Sequence, residues 1–376
     1  MSTPVKIASE LIEFDSVSSV SNVSITDCLE ERLKRLHFET ERVDYVDDRG
    51  VPKSNVIGKL GSGTGGVAYF GHSDVVPALN WKFTEHGPFT PTIKDGYLFG
   101  RGSTDMKGSV ACMLAAIEQI APESLKAPIY FCCTADEETG MQGAQHVQER
   151  SQLFREIVAG QSRSIVGEPT GMEVVYGHKG GCGLRITARG IAAHSSTNKG
   201  VNANWKMIPF LQEMAELHQE LESDPQWQNP EFDPPTTSMN LGINDSNPAM
   251  NITAAQSVCI LYFRAMPGLD ADQILERIRN AAARHGLEFE QVFRATPFYR
   301  DPASLFIQEC LEFSSNPVPR TVAYGTDAAR FHELERCVIM GPGHIAQAHT
   351  YDEWVRIEDL ENGAATYRAM LERWCL

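Results

Sequence analysis

Short apolar runs alternate with helix-like stretches through the first half of the chain. VAYFGH (67–72), PIYFCCTA (128–135) and SIVGEPT (164–170) have the continuous hydrophobicity of buried strands, and KGSVACMLAAIEQIA (107–121) is typical of a buried helix. CVIMGPG (337–343) repeats the strand pattern near the C-terminus, before a final helix. This alternation predicts an α/β fold with a mostly parallel sheet.

A different pattern occupies residues 183–295. GLRITARG alternates as a half-exposed strand does, NANWKMIPFLQEMAELHQEL has helical spacing, and SMNLGIND and QSVCILYFRAMPG are strand-like. A second helix, opening on an Asp cap, and a last strand complete the order β-α-β-β-α-β. We therefore predict a ferredoxin-like domain inserted into the α/β domain, with boundaries at 1–182, 183–295 and 296–376.

Composition argues against some classes of binding partner. The chain has 376 residues and a net charge of −16, which argues against broad contact with nucleic acid or an anionic membrane. No run of 18 apolar residues occurs, and the N-terminal stretch has no cationic region before an apolar one, so we expect a cytoplasmic enzyme. None of the nine cysteines has Cys-x-x-Cys spacing, which predicts reduced thiols.

One glycine-rich segment, GSGTGG (61–66), formally satisfies the dinucleotide-binding pattern. That motif has to follow a strand and open a helix, whereas the strand-like VAYF follows here at once. The segment therefore predicts a hairpin turn between NVIGKL and VAYF.

Metal-ligand residue types follow the apolar runs. Each of them alone would be interpreted as a solvated turn residue. Together they predict a metal site, because ligands gather in the crevice outside the carboxyl ends of parallel strands. The residues are His72, Asp74, Asp105, Glu137, Glu138, Glu168 and His349.

The motifs GHSDVVP, GRGSTDMKG, TADEETG, VGEPT, HKGG, GIAAHSS and GPG…AHTYDEW resemble, in order, those of the co-catalytic zinc aminoacylase/carboxypeptidase family. The resemblance covers essentially the whole chain. It implies a zinc-peptidase catalytic domain with an inserted dimerisation or lid domain, and it implies two Zn²⁺ ions per chain, although Co²⁺ and Mn²⁺ also suit nitrogen and oxygen ligands.

The resemblance also implies the ligands. Asp105 would bridge the two ions, His72 and Glu168 would complete one site, and Glu138 and His349 would complete the other.

Further roles follow from the same resemblance. Asp74 would orient the His72 imidazole, and Glu137 would be the general base that takes a proton from water. His194 of GIAAHSS would stabilise the oxyanion in the active site of the second chain of a homodimer. Taken alone, His194 is more typical of a surface loop.

The resemblance also implies residues that would bind the substrate. Asn251 and Arg264 match a family stretch that holds the substrate carboxylate, although a structural ion pair on a strand is the alternative for Arg264. Lys179 of HKGG is a further candidate. Gly325 and Thr326 match a family loop that lines the acyl pocket.

Within the family, TADEETGMQGA, HKGG and GPGHIAQAHTYDEW look most like acetylornithine deacetylases, which act in arginine biosynthesis. We expect removal of an acetyl group from N-acetylornithine. One alternative is succinyl-diaminopimelate desuccinylase, to which GHSDVVP, FGRGSTDMKGS and GTDAARF are closer, but whose paired arginines are replaced here by His178 and Lys179. The other is a carboxypeptidase or aminoacylase. A binding protein without activity is disfavoured, because every ligand position is filled.

Overall fold

The structure is a computed structural model that describes residues 3–376, and in it the chain forms two compact units. The first unit comprises the chain up to Tyr176 together with Arg300–Arg320 and Thr326–Leu376. The second comprises Gly177–Tyr299 and Thr321–Gly325. The predicted domain boundaries, and the predicted role of the insert in dimerisation or closure, stay predictions.

The described residues form nine α-helices and sixteen β-strands. The helices are α1 (Pro4–Ile12), α2 (Val23–Arg35), α3 (Lys107–Ile117), α4 (Gln142–Arg150), α5 (Gln152–Ala159), α6 (Ala203–Ser223), α7 (Ala271–Arg284), α8 (Leu305–Leu311) and α9 (Ile357–Cys375). The strands are β1 (Glu39–Val46), β2 (Pro52–Leu60), β3 (Val67–His72), β4 (Thr92–Lys94), β5 (Tyr97–Phe99), β6 (Ile129–Thr134), β7 (Arg163–Val166), β8 (Val175–His178), β9 (Gly181–Arg189), β10 (Met239–Asn244), β11 (Gln256–Phe263), β12 (Glu288–Ala295), β13 (Phe298–Tyr299), β14 (Arg320–Val322), β15 (Cys337–Ile339) and β16 (Trp354–Arg356). None of these helices is long and apolar enough to cross a bilayer.

The main sheet has the order β1-β2-β6-β3-β7-β15-β8-β13, with β14 paired to β8. Its central strands β6, β3, β7 and β15 are parallel, and antiparallel strands flank them on both sides. Every residue of β3 and β6 is buried, as expected for strands that are covered on both faces. The predicted α/β class with a largely parallel sheet is confirmed.

Register brings the carboxyl ends of the central strands together. His72 at the end of β3 lies opposite Thr134 at the end of β6, and Phe70 lies opposite Val166 at the end of β7. The residues that follow these three strands therefore start from neighbouring points on one edge of the sheet.

The predicted hairpin at residues 61–66 is wrong. This segment joins β2 to β3, but β6 lies between these two strands in the sheet. Gly66 instead allows this segment to pass close to Pro128, the residue just before β6. Its φ is +69°, and a Cβ atom there would lie 1.9 Å from the Pro128 carbonyl oxygen. No helix follows the segment, so the dinucleotide motif has no structural counterpart.

The second unit contains a four-stranded antiparallel sheet of order β10-β11-β9-β12, built from the elements β9-α6-β10-β11-α7-β12. Alternate residues of β9 and β11, such as Leu184, Ile186 and Leu261, join the apolar faces of α6 and α7 in one core. Strand β10 is an edge of this sheet, and most of its residues are exposed.

Candidate metal centre

Five of the predicted ligands form two overlapping groups in the first unit. His72, Asp105 and Glu168 form one group, and Asp105, Glu138 and His349 form the other. Within each group the ligand atoms lie within 4.8 Å of one another. Asp105 belongs to both groups.

The first group is fully enclosed. His72 Nε2 lies 3.1 Å from Asp105 Oδ1 and 3.8 Å from Glu168 Oε1, and all three residues are buried. The other ring nitrogen, Nδ1, lies 2.9 Å from the main-chain carbonyl oxygen of Asp74. A carbonyl oxygen can only accept, so Nδ1 carries the proton and Nε2 presents its lone pair to the group.

The second group uses the other oxygen of the shared carboxylate. His349 Nε2 lies 3.3 Å from Asp105 Oδ2 and 3.0 Å from Glu138 Oε2. Because each oxygen of Asp105 faces a different histidine, the carboxylate is oriented as a bridge between the two groups.

Electrostatics favour a cation here. Burial, and then repulsion from Asp105, raises the pKa of Glu138 to about 7. Burial likewise raises the pKa of Glu168 well above its ordinary value, with Asp105 adding to the rise. Acidic groups that are this poorly solvated need a nearby positive charge to stay ionised. Imidazole and carboxylate donors in two sets that share one carboxylate fit two divalent ions.

Asp74, predicted to orient the His72 imidazole, contacts it through the main chain and not through the carboxylate. Its main-chain carbonyl contacts the imidazole, whereas its carboxylate Oδ1 stays 3.6 Å from Nδ1. The carboxylate instead accepts the peptide N–H groups of Glu137, at 3.1 Å, and Glu138, at 3.3 Å, and the Ser18 hydroxyl at 2.6 Å. Asp74 therefore contacts both the histidine and the adjacent acidic pair.

A residue in the left-handed backbone conformation changes the direction of the chain just before Glu137 and Glu138. Asp136, directly before Glu137, has a φ of +56°, which breaks the alternation of the preceding strand. Two hydrogen bonds fix this residue: Lys53 Nζ donates to one carboxylate oxygen at 2.6 Å, and the Tyr45 hydroxyl donates to the other at 2.7 Å. Burial raises the pKa of Glu137 well above its ordinary value, and repulsion from Glu168 and Glu138 adds to the rise.

Sequence reasoning missed the residues that support the ligands. Lys53 and Tyr45 hold Asp136, and Glu353 accepts hydrogen bonds from the turn that carries Asp105. Glu353 lies inside the quoted motif AHTYDEW, so its acidic character next to a ligand was the available signal. Lys53 and Tyr45 had none, since they lie far from Asp136 in sequence.

In the second unit the structure brings His194 and Asn251 together. Their segments are paired by hydrogen bonds from Ser195 N to Asn251 O, at 2.8 Å, and from Thr253 N to Ala193 O, at 2.9 Å. The Ser196 peptide N–H donates to His194 Nδ1 at 3.3 Å, so Nδ1 is an acceptor and the proton of the neutral ring is on Nε2. Both residues are exposed.

Arg264 and Lys179 lie at the other end of the same sheet. Strand β11 begins at Gln256, near Asn251, and ends at Phe263, directly before Arg264. Its eight residues span roughly 23 Å at a rise of about 3.3 Å per residue. The unit does not bring Asn251 and Arg264 together, so one chain cannot place both on a single substrate carboxylate.

Lys179 is held by the protein itself. Its amine donates to the carbonyl oxygens of Pro234 and Thr236, each at 2.7 Å. Burial and the nearby charge of Arg264 lower the pKa of Lys179 to about 8. The Arg264 guanidinium lies 5.2 Å over the Tyr262 ring, and no ion pair to it occurs among residues 3–376.

The predicted acyl-pocket loop crosses the boundary between the units. Gly325 belongs to the second unit and Thr326 to the first. The Thr326 hydroxyl is buried and accepts the peptide N–H of Ala328 at 3.2 Å. A role in the acyl pocket stays a prediction for both residues.

The sequence of this chain is similar to those of known peptidases and deacetylases. A family model described as peptidase family M20/M25/M40 matches residues 68–373. The acetylornithine deacetylase of Myxococcus xanthus is 34% identical over a 383-residue alignment that covers 97% of this chain and 96% of that protein.

Solved structures share the fold. An M20 family metallo-carboxypeptidase, Sso-CP2 from Sulfolobus solfataricus, aligns with a TM-score of 0.77 and 16% identity, covering 100% of this chain and 99% of its own. The YXEP protein of Bacillus subtilis, described as a dinuclear metal-binding peptidase from the M20 family, aligns with a TM-score of 0.64 and 15% identity, covering 98% and 97%.

Proposed function

Since the chain belongs to peptidase family M20/M25/M40, we propose that it is a metal-dependent deacylase that hydrolyses N-acetylornithine to ornithine and acetate. It is a hydrolase of this family. The observation that carries the proposal is Asp105, whose two oxygens face His72 and His349 and so join two ligand groups beside Glu137. The M. xanthus relative, which aligns with this chain over nearly the whole of both proteins, supports the choice of substrate.

Two divalent ions would be held by the two groups. His72, Asp105 and Glu168 would bind one, and Asp105, Glu138 and His349 the other. Zn²⁺ suits this donor set, as do Co²⁺ and Mn²⁺. When bound, two such ions polarise an amide carbonyl and increase the acidity of water.

Glu137 would supply the proton transfers. Its carboxylate takes a proton from the attacking water as the oxygen bonds to the amide carbon, and it gives that proton to the nitrogen as the C–N bond breaks. The products are acetate and the free amine. Asp74 supports this step, because its carboxylate holds the peptide N–H of Glu137.

The oxyanion would be stabilised from a second chain. The proton on His194 Nε2 makes that nitrogen a hydrogen-bond donor, as an oxyanion requires. The separation of Asn251 from Arg264 by the length of β11 supports a shared site, in which Arg264 of one chain and Asn251 of its partner bind one substrate carboxylate. His194 accompanies Asn251 in this arrangement.

The homodimer would form through the second unit. Edge strand β10 exposes Leu241 and Ile243, and helix α6 exposes Trp205 on 73% of its surface. The outer edge of such a strand, with apolar side chains exposed beside it, is a surface that a second copy covers by continuing the sheet. Leu241→Lys together with Ile243→Lys should yield monomers in sedimentation measurements, whereas Val292→Lys, on the opposite edge strand β12, should not.

The two residues that replace the paired arginines of desuccinylases support the acetyl group over a succinyl group. His178 is fully buried, and burial lowers its pKa to about 4, so it is neutral at pH 7. Lys179 is bonded to two carbonyl oxygens. Neither side chain is arranged to bind the extra carboxylate of a succinyl group.

The test is kcat/KM for N-acetylornithine, N-succinyl-diaminopimelate and a dipeptide, measured on protein loaded with Zn²⁺ and on the same protein after chelation. We expect the acetylated substrate to be preferred and activity to require metal. A preference for the succinylated substrate or the dipeptide would replace the substrate assignment. Equal activity after complete metal removal would refute the metal-dependent mechanism.

A further inference from the structure

We propose that Glu353 is a positioning residue that holds the bridging carboxylate of Asp105 and the His349 loop in one geometry. The inference rests on the proposed metal site and adds the residue that shapes it. Glu353 follows His349 by four positions and is completely buried.

Both carboxylate oxygens of Glu353 are fully used. Oε1 accepts the peptide N–H groups of Thr104, at 2.9 Å, and Asp105, at 3.0 Å. Oε2 accepts the peptide N–H of Gly102, at 3.0 Å, and Nη1 of Arg101, at 2.7 Å. Successive N–H groups that converge on one anion form the type of concave binding site that turns create for carboxylates and phosphates.

This anchor determines the position of Asp105. The residues from Arg101 to Asp105 form irregular turns rather than a helix or strand, so no regular hydrogen-bond pattern fixes them. Gly102 needs its positive φ of +86° for the turn. The Thr104 hydroxyl adds a bond to the Trp354 carbonyl oxygen at 2.6 Å. Without Glu353, the peptide N–H groups of this buried turn would lose their acceptors.

Arg101 extends the anchor to the second histidine. Its Nη2 donates at 2.9 Å to the carbonyl oxygen of Thr350, the residue after His349. His349 has a φ of +63° and a side chain that is 53% exposed, so burial restrains it little. His72 and Glu168, by contrast, are buried; His72 is the last residue of β3, and Glu168 lies two residues beyond β7. Loss of Glu353 should therefore damage the group Asp105–Glu138–His349 more than the group His72–Asp105–Glu168.

The test is a titration of metal-free protein with Co²⁺, followed by calorimetry and by the visible absorption of bound Co²⁺. Glu353→Gln keeps the shape of the side chain but turns one acceptor oxygen into a donor that faces N–H groups. We expect the variant to bind its first equivalent within about threefold of the wild-type affinity and its second about 10- to 100-fold more weakly, the usual effect of removing a residue that supports ligands.

Two further variants make the outcome specific. Arg101→Lys keeps the charge but cannot reach Glu353 and the Thr350 carbonyl together, so it should show the same selective loss. Lys82→Ala removes an exposed ion pair with Asp352 on the same loop and should leave both affinities unchanged. If circular dichroism shows that Glu353→Gln fails to fold, the Co²⁺ affinities of Arg101→Lys test the inference instead. A selective loss at the second equivalent would again support it.

Wild-type affinity at both equivalents in Glu353→Gln and Arg101→Lys would overturn the inference and leave the metal site intact. Equal weakening of both equivalents would also overturn it, because it would indicate general damage. Wild-type protein that binds no Co²⁺ would refute the proposed metal site and this inference with it.

Discussion

The carboxylate of Asp74 accepts the peptide N–H of Glu137 at 3.1 Å, although 63 positions separate the two residues. The main-chain carbonyl of Asp74 contacts His72 Nδ1 at the same time. One residue thus connects a ligand at the end of β3 with the proposed general base after β6. A displacement of either strand end would be transmitted to both.

Replacing Asp74 by Asn should therefore reduce kcat by roughly 10- to 100-fold while both metal equivalents remain bound. An amide has one acceptor oxygen instead of two, so a donor would face either a peptide N–H or the Ser18 hydroxyl. Steady-state kinetics with elemental analysis measure both effects. Ser18→Ala is the matched control, since it removes only a donor to Asp74 and should have a smaller effect. Unchanged kcat in Asp74→Asn would contradict the positioning role.

Replacing Glu137 by Gln should lower kcat by about 10²- to 10⁴-fold and leave metal content nearly unchanged, because the lost group moves protons. Glu138→Gln should instead weaken one metal equivalent. Metal content and single-turnover kinetics of the two variants distinguish the roles. If Glu137→Gln lost metal and Glu138→Gln retained it, the assignments would be reversed.

Mixed dimers test the shared active site. His194→Ala and Glu137→Ala chains should each be nearly inactive alone. After equal mixing and subunit exchange, about half of the dimers are hybrids with one complete site, so about a quarter of all sites should work again. Exchange is followed by mass spectrometry of differently tagged chains. No recovery after proven exchange would mean that His194 acts within its own chain or not at all.

Metal removal should lower thermal stability as well as activity. Ions that bind the folded chain only, present at 100 times their Kd, stabilise it by about 2.7 kcal/mol per site. Calorimetric scans with and without Zn²⁺ should show a higher Tm in its presence, and Glu168→Gln should reduce the difference. A Tm that is independent of Zn²⁺ would contradict metal binding by the folded chain.

His178 should make stability fall on acidification. Burial lowers the pKa of this imidazole to about 4 from an ordinary 6.5. Between these values the unfolded chain takes up a proton that the folded chain does not, so stability is complete above pH 6.5 and declines as the pH falls towards 4. The full effect is about 3 kcal/mol. Urea unfolding at pH 7.5 and pH 5 should show a larger loss for the wild type than for His178→Asn. Equal losses would show that His178 does not titrate in this way.

Much of the site could be predicted from the sequence because strand ends are local features. Continuous apolar runs such as VAYFGH and PIYFCCTA identify buried parallel strands, and these have their carboxyl ends on one edge of a sheet. His72, at the end of the first run, and Glu138, three residues beyond the second, could therefore be assigned to one crevice before any distance was known. The family resemblance indicated which of these residues would be metal ligands. The match over residues 68–373 confirms the family.

Strand order could not be predicted in the same way. The loop 61–66 is short enough for a hairpin, yet β6 lies between β2 and β3. A strand that is buried on both faces is apolar throughout, so its side chains do not indicate which strands lie beside it. Its backbone does not indicate them either, because both edges present the same hydrogen-bonding groups. Only the packing of the whole sheet selects the pairing.

The sequence by itself determined the α/β class, the family and the residue types available as ligands, since these depend on local hydrophobic patterns and motifs. Only the tertiary structure decided which residues support the site. The Asp74 carboxylate accepts the peptide N–H of Glu137, and Lys53 and Tyr45 donate to Asp136. Glu353 accepts the peptide N–H of Asp105. The physical reason is that buried N–H groups and charges must find partners wherever the fold brings them, and such partners can lie at any distance along the chain.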